Sequence, residues 1–180
     1  MKAVHLNAEG ANHAEERREK QSSSHLRWSG ALMLFTAKGY KGMHENEISK
    51  RIIGAAIEVH RELGSGLIEK VYEESLCHEL HLRNILFKRQ QPVPICYKGV
   101  RLASDLRLDL VVYDKVIVDN KAKEEITAQE KAQLLTYLRL CKLRLGLIID
   151  FHSLRLTDGI VRVVNGLDEY QPPEPGSFRI

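Results

Sequence analysis

Apolar positions first become periodic just after Met43. Ile48, Ile52, Ala55, Ala56, Val59 and Leu63 recur at helical spacing and stop at Gly64-Ser65-Gly66. That spacing predicts a helix from about Asn46, closed by a glycine turn. A second helix is predicted from about Ile68 to Arg83, with Val71, Leu76, Leu80 and Leu82 as its apolar positions. Strand-like segments come next: Phe87–Gln91, Val93–Tyr97, two apolar runs flanking Tyr113-Asp114-Lys115, and later Leu145–Ile149. Thr127–Cys141 is an amphipathic helix whose Thr127 and Glu130 form a capping-box pattern. Val161–Val164 adds a short edge strand. This order predicts an α/β protein, a mixed central β-sheet flanked by helices. There are no internal repeats.

Residues 1–42 have a different texture. Polar and charged residues dominate to Ser24 without sustained periodicity, so disorder is expected to about residue 28. The segment reads either as an extension upstream of a natural start at Met43 or as a flexible tail. Residues 43–170 are expected to form one domain. Residues 171–180, with three prolines, are expected to be a flexible C-terminal tail.

Composition narrows the class. The chain has 180 residues, 43% hydrophobic and 28% charged, as ordinary globular domains do. No apolar stretch approaches the roughly 20 residues that span a bilayer, so no membrane partner is expected. Cys77, Cys96 and Cys141 lie far apart, which suits reduced thiols in a cytoplasmic protein better than a disulfide or zinc framework. The formal charge of +3 is carried by residues 1–42, which hold seven Lys/Arg and four Asp/Glu. Residues 43–180 hold 20 of each. Nucleic-acid contact therefore needs a local patch rather than a global field.

The chemistry concentrates between Asp109 and Lys121. The runs flanking Tyr113-Asp114-Lys115 read as a hairpin. A turn centred on Asp114 pairs Asp109 with Asp119, and strand alternation puts Lys121 on the Asp119 face. Facing carboxylates destabilise a sheet unless something compensates them. A divalent cation and the lysine would do so. Mg2+ takes one or two carboxylates together with waters and phosphate oxygens, so this pattern points to a metal-dependent phosphodiesterase. The competing reading is solvated edge-strand charges.

Other clusters weigh less by themselves. Glu69, Tyr72 and Glu73 share a helical face at i, i+3 and i+4; acidic residues also suit a helix start because of its dipole. Gln133 and Tyr137 stack at i, i+4 on the later helix, which is equally one polar flank. His78 and His81 read as surface residues, and Cys141 as core. No phosphate-binding loop, dinucleotide fingerprint or serine nucleophile motif occurs.

Together the motifs are specific. Gly66…Glu69…Tyr72-Glu73 resembles the signature of the GxxExxY protein family. Residues 53–64, Tyr97-Lys-Gly-Val-Arg101, Arg107-Leu-Asp-Leu110 and Ala132-Gln-Leu-Leu-Thr-Tyr-Leu-Arg139 are similar to further parts of it. The likeness runs in order over roughly residues 45–167. That family resembles the PD-(D/E)XK nuclease superfamily, in its RecB-like branch. The resemblance implies a restriction-endonuclease-like core. It also implies a helical acid at Glu69, a metal-binding Asp109, a (D/E)-x-K motif at Asp119-Asn-Lys121, and a Q-x-x-x-Y element at Gln133 and Tyr137. Metal ligation would fall on Asp109, Asp119 and Glu69. Two positions depart from the pattern: Asp119 stands where the family usually carries Glu, and Leu108 where Pro is usual.

The expected function is a Mg2+-dependent nuclease acting on DNA, with Mn2+ as a substitute ion. The alternative is a non-catalytic nucleic-acid-binding or interaction module that keeps the nuclease fold. Oligomeric state is left open by the sequence.

Overall fold

The computed structural model describes residues 42–166. The expectations for residues 1–41 and for the 171–180 tail lie outside the described residues. Contacts divide the chain into Met1–Lys41 and Gly42–Ile180.

Helix α1, Glu45–Leu63, begins where the His44 side chain accepts a hydrogen bond from the Asn46 N–H. It buries Ile48, Ile52, Ala55, Ala56 and Val59 of the stripe its spacing predicts and leaves Leu63, at its last turn, exposed. It ends at Gly64, whose φ of 71° favours a residue without Cβ. Helix α2, Glu69–Leu82, buries Tyr72, Leu76 and Leu80. Tyr72 also ties down the connection between the two helices. Its hydroxyl donates to the Gly64 carbonyl (2.8 Å) and accepts from the Leu67 N–H (3.1 Å). The Tyr72 ring stacks on Phe151 with centroids 4.6 Å apart. The tyrosine of the sequence signature thus holds the fold together.

Five strands follow: β1 Phe87–Tyr97, β2 Val100–Val112, β3 Val116–Lys121, β4 Leu145–Asp150 and β5 Ile160–Val164, with helix α3, Ala128–Cys141, between β3 and β4. They lie in the order β1-β2-β3-β4-β5. All pairs are antiparallel except β3 with β4, which the α3 crossover makes parallel. Every residue of β4 is buried, as a strand covered on both faces requires. Thr127 caps α3, and the reciprocal Thr127–Glu130 capping box is formed.

One face of the sheet packs on α3 through Val111, Ile117 and Ile148 against Leu134 and Leu138. Alternate residues, among them Val116, Val118, Leu147 and Ile149, are buried away from it. Gly146 leaves room for α3, since a Cβ there would stand 2.8 Å from the Leu134 side chain. Cys141 packs at the margin of the α3 cluster, as expected of a core residue.

Two strand expectations need correction. Phe87–Gln91 and Val93–Tyr97 form a single strand, kinked at Gln90 (φ 50°) and shifted in register between Pro94 and Cys96. The kink absorbs the irregularity that the sequence presents as a break. Strand β2 begins at Val100, well before the apolar run at Leu106, because its first half is held by pairing with β1 rather than by burial.

Candidate active site

The β2–β3 turn sets the site. Tyr113 and Asp114 both have left-handed backbone, and Lys115 N–H donates to the Val112 carbonyl. The resulting register pairs Val112 with Val116 and Leu110 with Val118. One step further along, Asp109 falls opposite Asp119, as a turn centred on Asp114 requires. The backbone ladder stops there, and the Asp109 side chain takes over. Its Oδ2 accepts the Asn120 N–H at 3.1 Å. Lys121 Nζ donates to Asp119 Oδ1 at 2.7 Å, so these two side chains share a face.

The electrostatics follow from this packing. Burial, the charge of Asp119 and a hydrogen bond between the two carboxyls push Asp109 up to about 7, against the lowering effect of the Asn120 N–H. Burial opposes the Lys121 charge, but the hydrogen bond and charge of Asp119 outweigh it and raise Lys121 above its ordinary value. Two acids and one cation therefore sit together short of positive charge.

Glu69, at the start of α2, feels this cluster from its rim. Burial, reinforced by Asp119, Glu73 and Glu130, raises its pKa against the pull of Lys121. On α3, Gln133 Nε2 donates to the Tyr137 hydroxyl at 2.7 Å. Burial and the Asp119 charge raise Tyr137, which also feels Lys121 and Asp109. The geometry thus joins Asp109, Asp119 and Lys121 directly, and sets Glu69 and the Gln133–Tyr137 pair within reach of their charges. Among the described residues, no three His, Cys, Asp or Glu side chains already form a metal-binding group. A surface depression of about 590 Å³ is lined by Lys123, Thr127, Glu130 and Gln133 among others, and neither Asp109 nor Asp119 is part of its lining.

Sequence reasoning missed a second polar chain. Glu73, nearly buried, pairs with Arg89. Gln90 Nε2 donates to both Glu73 oxygens at 3.1 Å and reaches Asp109 Oδ1 at 3.5 Å. The strained left-handed backbone of Gln90 is what aims it there. Glu73 could be seen in the helical motif, but nothing in the local sequence marks Gln90 as its partner.

Among the described residues no helix is long and apolar enough to cross a membrane. Comparison with curated proteins gave no match, and comparison with solved structures gave none. The sequence profile of the PD-(D/E)XK nuclease superfamily matches residues 46–163, which take in the three helices and five strands except Glu45 at the start of α1 and Val164 at the end of β5. The chain belongs to the PD-(D/E)XK nuclease superfamily.

Proposed function

We propose that the protein is a Mg2+-dependent nuclease that hydrolyses phosphodiester bonds in DNA, with Asp109, Asp119 and Lys121 at its centre. The observation that carries this reading is the neighbouring carboxyl pair, in which burial and then the charge of Asp119 push Asp109 up to about 7. A site short of positive charge and furnished with carboxylate oxygens suits a hard divalent cation. Asp109 and Asp119 would hold the ion and Glu69 would supply a third carboxylate from α2; Mn2+ has the same oxygen preference. A bound metal supplies an activated water and polarises the phosphate.

The remaining work belongs to the side chains. Lys121, kept charged by Asp119, neutralises charge developing on the phosphate oxygens. Asp119 holds the ammonium in place, and the Asn120 N–H fixes one oxygen of Asp109. Tyr137, oriented by Gln133, offers a hydroxyl beside the same charges. Three free thiols suit a cytoplasmic setting.

The second reading, a non-catalytic nucleic-acid-binding module, is favoured by the 2.7 Å Lys121–Asp119 contact, which partly satisfies the site without a metal. Incubation of plasmid and single-stranded DNA with Mg2+, Mn2+ or EDTA separates the two. The nuclease reading expects metal-dependent cleavage that Asp109→Asn abolishes. Absence of cleavage, together with a melt that millimolar Mg2+ leaves unchanged, refutes it.

A further inference from the structure

Strands β1 and β2 extend far beyond the sheet that they join. The pairing of β2 with β3 covers Leu110–Val112, whereas its pairing with β1 continues to Tyr97↔Val100. Every residue from Cys96 to Asp105 is exposed. The result is a two-stranded arm, residues 92–107, whose second strand leads directly into Asp109. Such a ribbon has little to stabilise it alone. It nevertheless presents Tyr97 and Val100 to solvent at 63% and 65% exposure, with Lys98 Nζ 5.4 Å from the Tyr97 ring centre.

Charge singles the arm out further. Residues 42–166 carry 19 Lys/Arg and 17 Asp/Glu. The arm holds three of the cations, Lys98, Arg101 and Arg107, and one of the acids, Asp105. The other described residues therefore balance, with sixteen of each. The Arg101 side chain remains 68% exposed despite its 3.5 Å contact with Asp105.

We propose that the β1–β2 arm is a DNA-binding finger that grips the duplex backbone away from the Asp109–Asp119 pair; this deepens, and rests on, the nuclease reading. Asp109 lies opposite Gln90, and nine residues along β1 and its turn separate Gln90 from Gly99 at the tip, or roughly 30 Å at about 3.3 Å per residue. The two extra residues of β2 at the register shift add no reach. That is most of one turn of a duplex, about 34–36 Å. A tip cation thus meets phosphates within one turn of the cut, and the other described residues carry no net charge. A second copy is a poorer occupant. Two arms of like charge repel, and Pro92 and Pro94 blunt the β1 edge against strand addition.

The test uses the full chain and a labelled DNA duplex of about three helical turns, with anisotropy measured in EDTA so that cleavage plays no part. Lys98→Glu/Arg101→Glu is expected to weaken binding at least ~10-fold and to flatten the dependence of log affinity on log salt by about two phosphate contacts. The charge-matched pair Arg51→Glu/Arg155→Glu, on α1 and on the β4–β5 connection, should bind like the wild type. Lys98→Ala/Tyr97→Ala should weaken binding by a smaller factor, with an unchanged melt as the check on folding. Equal binding by the arm variants and the wild type overturns the proposal, and so does equal weakening by the off-arm pair. A change in sedimenting mass with duplex binding intact would assign the arm to a second copy and likewise overturn it. Arm-dependent binding without Mg2+-dependent cleavage keeps the finger and sinks the nuclease; cleavage with arm-independent binding does the reverse.

Discussion

Replacing Asp109 by Asn should stabilise the metal-free protein at alkaline pH while abolishing cleavage. Asn preserves the side-chain shape. Its Oδ1 can keep the Asn120 N–H, and its amide can donate to Asp119 where two carboxylates now face each other. The magnitude follows from the site. A carboxyl moved from 3.8 to about 7 corresponds to ~4 kcal/mol between its two charge states. Asp109 is partly open to water, so solvent screening reduces this to roughly 2 kcal/mol. The sign is set by linkage. With a raised pKa, the folded state holds its proton more tightly than the unfolded chain does. That contribution is fully present below pH 3.8 and is lost as pH rises through about 7. At pH 8 the wild type carries the unfavourable charge and the variant does not. The melting temperature of Asp109→Asn should therefore exceed that of the wild type by roughly 5–10 °C at pH 8 in EDTA, and the gap should shrink toward zero near pH 4–5. Saturating Mg2+ should raise the wild-type melt and leave the variant unmoved. Thermal melts across pH 5–8, with EDTA and with Mg2+, provide the measurement. A variant less stable than the wild type at pH 8, or a difference that ignores pH, refutes the account of the carboxyl pair.

Two further substitutions probe the neighbours. Lys121→Ala should lower metal-free stability, because it leaves Asp119 and Asp109 facing each other without their cation; Mg2+ should restore much of the loss. Its turnover should fall ~100-fold or more, with a smaller change in Mg2+ affinity, as single-turnover cleavage across a Mg2+ titration would show. Tyr72→Phe removes the hydroxyl that serves Gly64 and Leu67 and should cost about 1–3 kcal/mol in denaturant unfolding. Cleavage by the remaining folded protein should continue, and a selective loss of turnover without loss of stability would contradict its structural role.

Much of the site could be read along the chain because its logic is local. Period-two alternation about a turn at Asp114 places Asp109, Asp119 and Lys121, and no distant contact is needed to work out that arrangement. Helices α1, α2 and α3 are likewise visible from their apolar stripes, the Gly64 stop and the Thr127–Glu130 cap, since each signal lies within a turn or two of the element it defines. Tertiary structure decided what depends on residues remote in sequence. Strand β1 runs unbroken through Gln90 because pairing with β2 compensates the strained residue, and that kink carries Gln90 to Glu73 and Asp109. Tyr72 became a structural pin only where Phe151 arrived from the end of β4. The shift of Asp109 up to about 7 also required packing, because desolvation and the approach of a second carboxyl are properties of assembled surroundings. Local periodicity names the residues of an element; burial and long-range neighbours determine their charge, their partners and whether they serve the fold or its chemistry.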